Sequence, residues 1–137
     1  MAGDGGEGKT PSLLIVDDER EACEGLQQFL ALQGFLVRGV FSGEAGVAAV
    51  QAATPDLVLL DLQMPGIDGW ETLARMRAIV PALRVVILTG SLSDPRVGRM
   101  TQQGKILGFL EKPLPIEDLP RRIRAFLSAA QPSTGAA

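Results

Sequence analysis

Four apolar runs in this chain each lead into residues that can do chemistry. Leu13-Leu14-Ile15-Val16 runs into Asp17-Asp18, and Leu57-Val58-Leu59-Leu60 into Asp61. Val85-Val86-Ile87-Leu88 runs into Thr89, and Ile106-Leu107-Gly108-Phe109-Leu110 is followed by Glu111-Lys112-Pro113. Crowded carboxylates repel, and each raises its neighbours' pKa unless a cation sits among them. A hard divalent ion with oxygen ligands relieves that repulsion, and Mg²⁺ suits an open site that keeps waters and accepts phosphate oxygens. An Asp carboxylate is also a nucleophile able to carry a phosphoryl group. Such a transfer rests on positioning and charge balance. Lys112 offers the ammonium, and Thr89 a hydroxyl donor for a phosphoryl oxygen. Asp61 is the expected nucleophile, central in the cluster, with the other acids to one side and Lys112 opposite.

For these residues to meet, the runs must be strands of one parallel sheet, whose carboxyl ends all face the same crevice. The sequence between them has helical periodicity. Ala22, Leu26, Phe29 and Leu30 form one face of a first helix that stops at Gly34, and Phe35 to Val40 reads as a second strand. Ser42 can cap a short helix bearing Val47 and Val50, ending before Thr54-Pro55. Asp68 caps a third helix, with Glu71 in capping-box position, Leu73, Met76 and Val80 inward, and Pro81 ending it. Asp94 and Pro95 read as the cap and first position of a fourth helix, which Gly98 and Thr101-Gln102-Gln103 keep short and ending before Gly104. A last helix shows Ile116, Leu119, Ile123, Phe126 and Leu127, with Pro120 awkwardly early in it. Continuous rather than alternating apolar strands require a sheet covered on both faces. Right-handed crossovers then favour a flavodoxin-like, doubly wound α/β fold of five parallel strands in the order 2-1-3-4-5. Its switch point lies between the strands ending in Asp17-Asp18 and Asp61.

At 137 residues the length fits one domain. We expect a folded unit over residues 12–129, with loose tails at 1–11 and 130–137. A hydrophobic content of 46% is too high for a disordered chain, and no apolar run approaches the ~20 residues of a membrane span. The amino terminus lacks a secretory pattern and Cys23 stands alone, which fits a reducing cytoplasm. A lone Cys on a helix is ordinarily a small buried hydrophobe. The net charge of −3 argues against nucleic-acid binding. Histidine is absent, which removes His-based metal sites, His-dependent triads and any role as a phosphohistidine donor.

The motifs Val16-Asp17-Asp18-Glu19, Leu59-Leu60-Asp61-Leu62-Gln63-Met64-Pro65-Gly66-Ile67-Asp68-Gly69, Leu88-Thr89-Gly90 and Phe109-Leu110-Glu111-Lys112-Pro113 occur in this order. Together they resemble the receiver domain of bacterial two-component response regulators, of the chemotaxis-regulator type, from about Ser12 to Ala129. The resemblance implies that Asp61 accepts a phosphoryl group from a sensor histidine kinase or phosphotransfer protein. It implies Mg²⁺ held by Asp18, Asp61 and the backbone carbonyl of Gln63, with Asp17 acting through water. It gives Thr89 and Phe109 switch roles, pairs Lys112 with the phosphate, and makes the bond to Pro113 cis. It implies a phosphoacceptor rather than an enzyme, one that controls a downstream protein partner. A homodimer through the fourth helix, fifth strand and fifth helix is a further reading. One departure is visible: Gly104-Lys105-Ile106-Leu107-Gly108-Phe109 holds one residue more than the family's usual spacing.

Other features have plainer readings. Asp56 and Glu111 read as solvated charges, Trp70 as packing or a surface patch, and Arg121, Arg122 and Arg124 as a solvated helix face that a partner could meet. Gly3-Asp4-Gly5-Gly6-Glu7-Gly8-Lys9-Thr10 matches a phosphate-binding loop in letters, but such a loop must follow a buried strand and open a helix. Here only Met1-Ala2 precede it, and Pro11 and the first strand follow. An aspartyl phosphatase of the haloacid-dehalogenase type is disfavoured because Gln63 stands where that class needs a second Asp. A third class is a binding module regulated by partners without phosphate.

Overall fold

The computed structural model describes residues 9–90 and 94–129. Both expected tails (apart from 9–11) and the Gly3–Gly8 part of the loop-like run lie outside them. Strands and helices alternate: β1 (Ser12–Val16), α1 (Arg20–Leu32), β2 (Leu36–Val40), α2 (Gly43–Ala52), β3 (Leu57–Asp61), α3 (Gly69–Ile79), β4 (Val85–Thr89), α4 (Pro95–Gln102), β5 (Gly108–Glu111) and α5 (Leu119–Ser128). The strands form one parallel sheet in the order β2-β1-β3-β4-β5, as expected.

Each continuous apolar strand divides its side chains between two faces, because successive residues point to opposite sides. Leu14, Val16, Val58, Leu60, Val85 and Ile87 pack with Val50, Leu73, Met76 and Val97, the inward residues of α2, α3 and α4. Leu13, Ile15, Leu57, Leu59, Val86, Leu88 and Leu110 pack with Cys23, Leu26, Leu30, Leu119 and Ile123 of α1 and α5. The register sets Val16 beside Leu60, Asp61 beside Leu88 and Thr89 beside Glu111. The strand ends that carry the polar residues are therefore level with one another.

The helix caps read from sequence are present. Ser42 accepts from Ala45 N at 3.1 Å, Asp68 from Glu71 N at 2.9 Å and Asp94 from Arg96 N at 2.9 Å. Five details differ. Ala22 is exposed, and the inward position on α1 belongs to Cys23, which is buried as expected at 1% exposure. Phe35 is buried but precedes β2, and Ile106 is buried but precedes β5, so both anchor turns. Ile116 lies ahead of α5 and is exposed. Pro120 is not awkward, because α5 begins at Leu119 and the first turn of a helix needs no backbone donor there.

Arginines close several helix ends from a distance. Arg38 of β2 donates to Ala49 O at 3.0 Å and Ala53 O at 2.6 Å, at the end of α2. Arg84 donates to Leu127 O at 3.0 Å and Ala129 O at 3.3 Å, at the end of α5. Arg124 is exposed, as expected, but also donates to Gln33 O at 2.9 Å and lies over the Phe35 ring. The carbonyls of Ala53, Leu127, Ala129 and Gln33 are ones a helix end leaves without an internal partner, whereas Ala49 O also accepts from Ala53 N at 3.0 Å. Asp56 is likewise more than a solvated charge, since its carboxylate accepts from Ser12 N at 2.8 Å and joins the starts of β1 and β3.

Candidate functional site

Asp17, Asp18, Asp61, Thr89 and Lys112 come together at the carboxyl edge of the sheet. Asp17, Asp61 and Thr89 are buried, at 5%, 5% and 4% exposure. One carboxylate oxygen from each of Asp17, Asp18 and Asp61 lies within 4.8 Å of the others. This is the switch point, because β1 and β3 are neighbours whose crossovers leave on opposite faces of the sheet.

Backbone contacts fix the acids. Glu19 N donates to Asp17 Oδ1 at 2.9 Å and Gln63 N to Asp61 Oδ1 at 3.1 Å. Lys112 N donates to Thr89 O at 2.8 Å, which ties the ends of β4 and β5 at the level of the site. The Lys112–Pro113 peptide bond is cis. Gly69 closes the floor: a Cβ there would lie 2.6 Å from both Asp61 O and Leu62 Cα, so only glycine permits α3 to start so close to β3.

Lys112 does not stand opposite the acids. Its Nζ lies 2.9 Å from Asp17 Oδ2, 3.4 Å from Asp61 Oδ2 and 3.5 Å from Glu19 Oε1, so it bridges the two buried carboxylates. Burial pulls the Lys112 pKa down, but the Asp17 hydrogen bond and the charges of Asp61 and Asp17 outweigh it, and the net shift is upward. Burial pushes the Asp61 carboxyl up to about 6, against the opposing pull of the Gln63 N–H and Lys112. One ammonium does not neutralise this cluster. An all-oxygen donor set with excess negative charge fits a hard dication, and Asp17, Asp18 and Asp61 are the residues that supply that charge.

The remaining expected residues sit around this centre. Gln63 follows β3, its side chain exposed and its backbone tied to Asp61. Phe109 lies beside Ile87 in the sheet, half-buried against the cluster that includes Leu14 and Val97. Sequence reasoning gave no role to Glu19, although it sits in the motif beside Asp17-Asp18. It also missed the contact of Trp70 with Asp94, which adjacency in sequence could not reveal. Trp70 Nε1 donates to Asp94 Oδ2 at 3.1 Å, and the Arg96 guanidinium lies 5.1 Å from the ring centroid. Hydrogen bonds from Arg96 and Trp70 hold the Asp94 carboxyl down at about 2.

The family model for the response regulator receiver domain matches residues 13–124. The chain belongs to that family. It is 30% identical over 122 residues to the probable transcriptional regulatory protein TcrX of Mycobacterium tuberculosis, covering 88% of this chain and 51% of that protein. It is 35% identical over 117 residues to the transcriptional regulatory protein AfsQ1 of Streptomyces coelicolor, covering 85% of this chain and 51% of the relative. The chain thus spans about half the length of these curated relatives. Among solved structures, a putative response regulator from Chloroflexus aurantiacus matches with a TM-score of 0.76 and 29% identity, over 88% of this chain and all of the other. A CheY-like receiver domain protein from Methanospirillum hungatei shares the fold, with a TM-score of 0.78 and 24% identity, over 87% of this chain and 94% of that one. The protein is therefore a receiver domain of two-component response regulators, proteins that histidine kinases phosphorylate. Receiver domains bind Mg²⁺ at an acidic pocket, and the Asp cluster of this receiver has that composition. No helix among the described residues is long and apolar enough to cross a membrane.

Proposed function

We propose that this receiver takes a phosphoryl group onto Asp61 from the phosphohistidine of a sensor kinase or phosphotransfer protein, and that residues 12–129 are the unit that does so. A carboxylate oxygen of Asp61 forms a bond to phosphorus as the phosphorus–nitrogen bond of the donor breaks. The electron pair stays with the imidazole, which takes up a proton. The observation that carries this reading is the packing of three carboxylate oxygens within 4.8 Å of one another, with Lys112 bridging two of the acids. Mg²⁺, when bound, supplies charge neutralisation for the acids and the incoming phosphoryl oxygens. Asp18, Asp61 and the Gln63 carbonyl would hold it, with Asp17 acting through water.

Gln63 N fixes the Asp61 carboxylate, and Lys112 moves its charge from the carboxylates toward the phosphoryl oxygens. Thr89, at the end of the neighbouring strand, donates its hydroxyl to a phosphoryl oxygen. Phe109, already half-buried, turns further inward as Thr89 shifts, which transmits the event to α4 and β5 and so to a downstream protein. The receiver is a phosphoacceptor: its chemistry is its own phosphorylation and dephosphorylation. Its partners are proteins in the cytoplasm, not nucleic acid, with self-association through α4, β5 and α5 a second mode.

Incubation with acetyl phosphate and Mg²⁺ tests this reading by intact mass. One phosphoryl group should be gained, and neither Asp61→Asn nor chelated wild-type protein should gain it. Equal labelling of Asp61→Asn would refute the assignment.

A further inference from the structure

Beside the acidic centre lies an open cleft of about 950 Å³, lined by Gln63, Thr89, Trp70, Asp94, Arg96 and Arg99 among others. Arg96 is held within it by contacts that leave it charged and movable. Its Nε and Nη2 donate to Asp94 Oδ1 and Oδ2 at 3.2 and 3.1 Å, its guanidinium faces the Trp70 ring, and half of its side chain is exposed. Asp94 also accepts from Trp70 and caps α4, so this one carboxylate ties the start of α4 to the start of α3. The core grip on α4 is slight: Val97 is its buried residue, with Met100 partly buried.

We propose that Arg96 is a phosphoryl-responsive residue that exchanges Asp94 and Trp70 for the phosphoryl group on Asp61, and so unlatches α4 from α3. The proposal rests on Asp61 being the phosphoacceptor. Phosphorylation replaces the single charge of the Asp61 carboxylate with a phosphoryl group carrying about −1.5 to −2. Lys112 and Mg²⁺ oppose that group and the Asp17 and Asp18 carboxylates, and a net charge of about −0.5 to −1 is left at the site. A planar guanidinium is suited to bidentate phosphoryl recognition, and Thr89 and Arg96 share one cavity. In moving, Arg96 leaves the indole face and removes two donors from the carboxylate that joins α3 to α4. The negative charge is then transmitted by a change of partner, in parallel with any movement of Phe109.

Trp70 is the chain's only tryptophan, so its emission reports the latch directly. Emission and acrylamide quenching are measured on wild type, Arg96→Gln and Arg99→Gln, before and after treatment with acetyl phosphate and Mg²⁺, with the phosphorylated fraction of each sample read by mass. Phosphorylation of wild type should shift Trp70 emission and raise its quenching constant about twofold. Unphosphorylated Arg96→Gln should already show the raised quenching, and phosphorylation should add little to it. Arg99→Gln should respond as wild type does. A labelled wild type with unchanged Trp70 signal would overturn the latch alone, as would an undiminished response in labelled Arg96→Gln or a lost one in labelled Arg99→Gln. Absence of labelling in wild type would instead overturn the phosphoacceptor reading, and the exchange with it.

Discussion

Replacing Asp61 with Asn should make the metal-free protein more stable at neutral pH, although it removes the proposed phosphoacceptor. Burial raises the Asp61 carboxyl from its ordinary 3.8 to about 6, despite Lys112 at 3.4 Å. A folded-state pKa above the unfolded one means that the fold binds the proton more tightly, so ionisation destabilises it. Below about pH 4 the carboxyl is protonated in both states and no penalty exists. The penalty grows between about pH 4 and 6 and is complete above that range. A rise of this size costs about 3 kcal/mol once ionisation is complete. Asn keeps the acceptor for Gln63 N and carries no charge, while Lys112 keeps Asp17 at 2.9 Å. Its expected gain at pH 7 is therefore about 2 to 3 kcal/mol, or roughly 10 °C in Tm for a domain of this size. Thermal melts in EDTA at pH 4, 5, 6 and 7 measure it. Added Mg²⁺ should raise wild-type Tm and narrow the gap, because a ligand of the folded state stabilises it by mass action. A variant no more stable than wild type at pH 7 in EDTA, or a gap constant from pH 4 to 7, would refute the assignment of unrelieved charge to Asp61.

Lys112→Ala leaves Asp17 and Asp61 buried without their shared ammonium, and should lower stability by about 3 kcal/mol in EDTA. Mg²⁺ should restore much of this, and mass labelling should persist while the phosphorylation-induced change in α4 weakens, as read by hydrogen exchange. Gly69→Ala forces a Cβ against the Asp61 carbonyl and the Leu62 backbone, with an expected loss of roughly 1–3 kcal/mol by urea denaturation. Arg84→Ala removes two charge-assisted bonds to the end of α5, and should cost about 1.5–3 kcal/mol and speed amide exchange in that helix's last turn.

The strand runs were legible because a parallel sheet buried on both faces needs unbroken apolar segments, and each of these had a polar residue at its carboxyl end. Helix starts were legible wherever the capping atom is local, as at Ser42, Asp68 and Asp94. Element edges were less so: an apolar residue anchoring a turn, such as Phe35 or Ile106, has the same letter as one inside a strand. The choice between Ala22 and Cys23 on α1 depended on the helix's rotation about its axis, which packing against β1 and β2 sets. Helix ends were legible at local breakers such as Gly34, Pro81 and Gly104, but the partners of the end carbonyls were not, because Arg38, Arg84 and Arg124 reach carbonyls 11 to 91 residues away along the chain.

By itself the sequence determined which residues gather at the site, since period, crossover handedness and strand order bring the strand ends to one edge. Tertiary structure alone decided how they meet. Lys112 bridges Asp17 and Asp61 instead of facing them, Gly69 lets α3 begin against the backbone of β3, and Trp70 and Arg96 converge on Asp94. The reason is that residue type and strand order are local or topological information. A carboxylate's choice among nearby donors is settled within a few tenths of an ångström, by the packing of elements far apart in the chain.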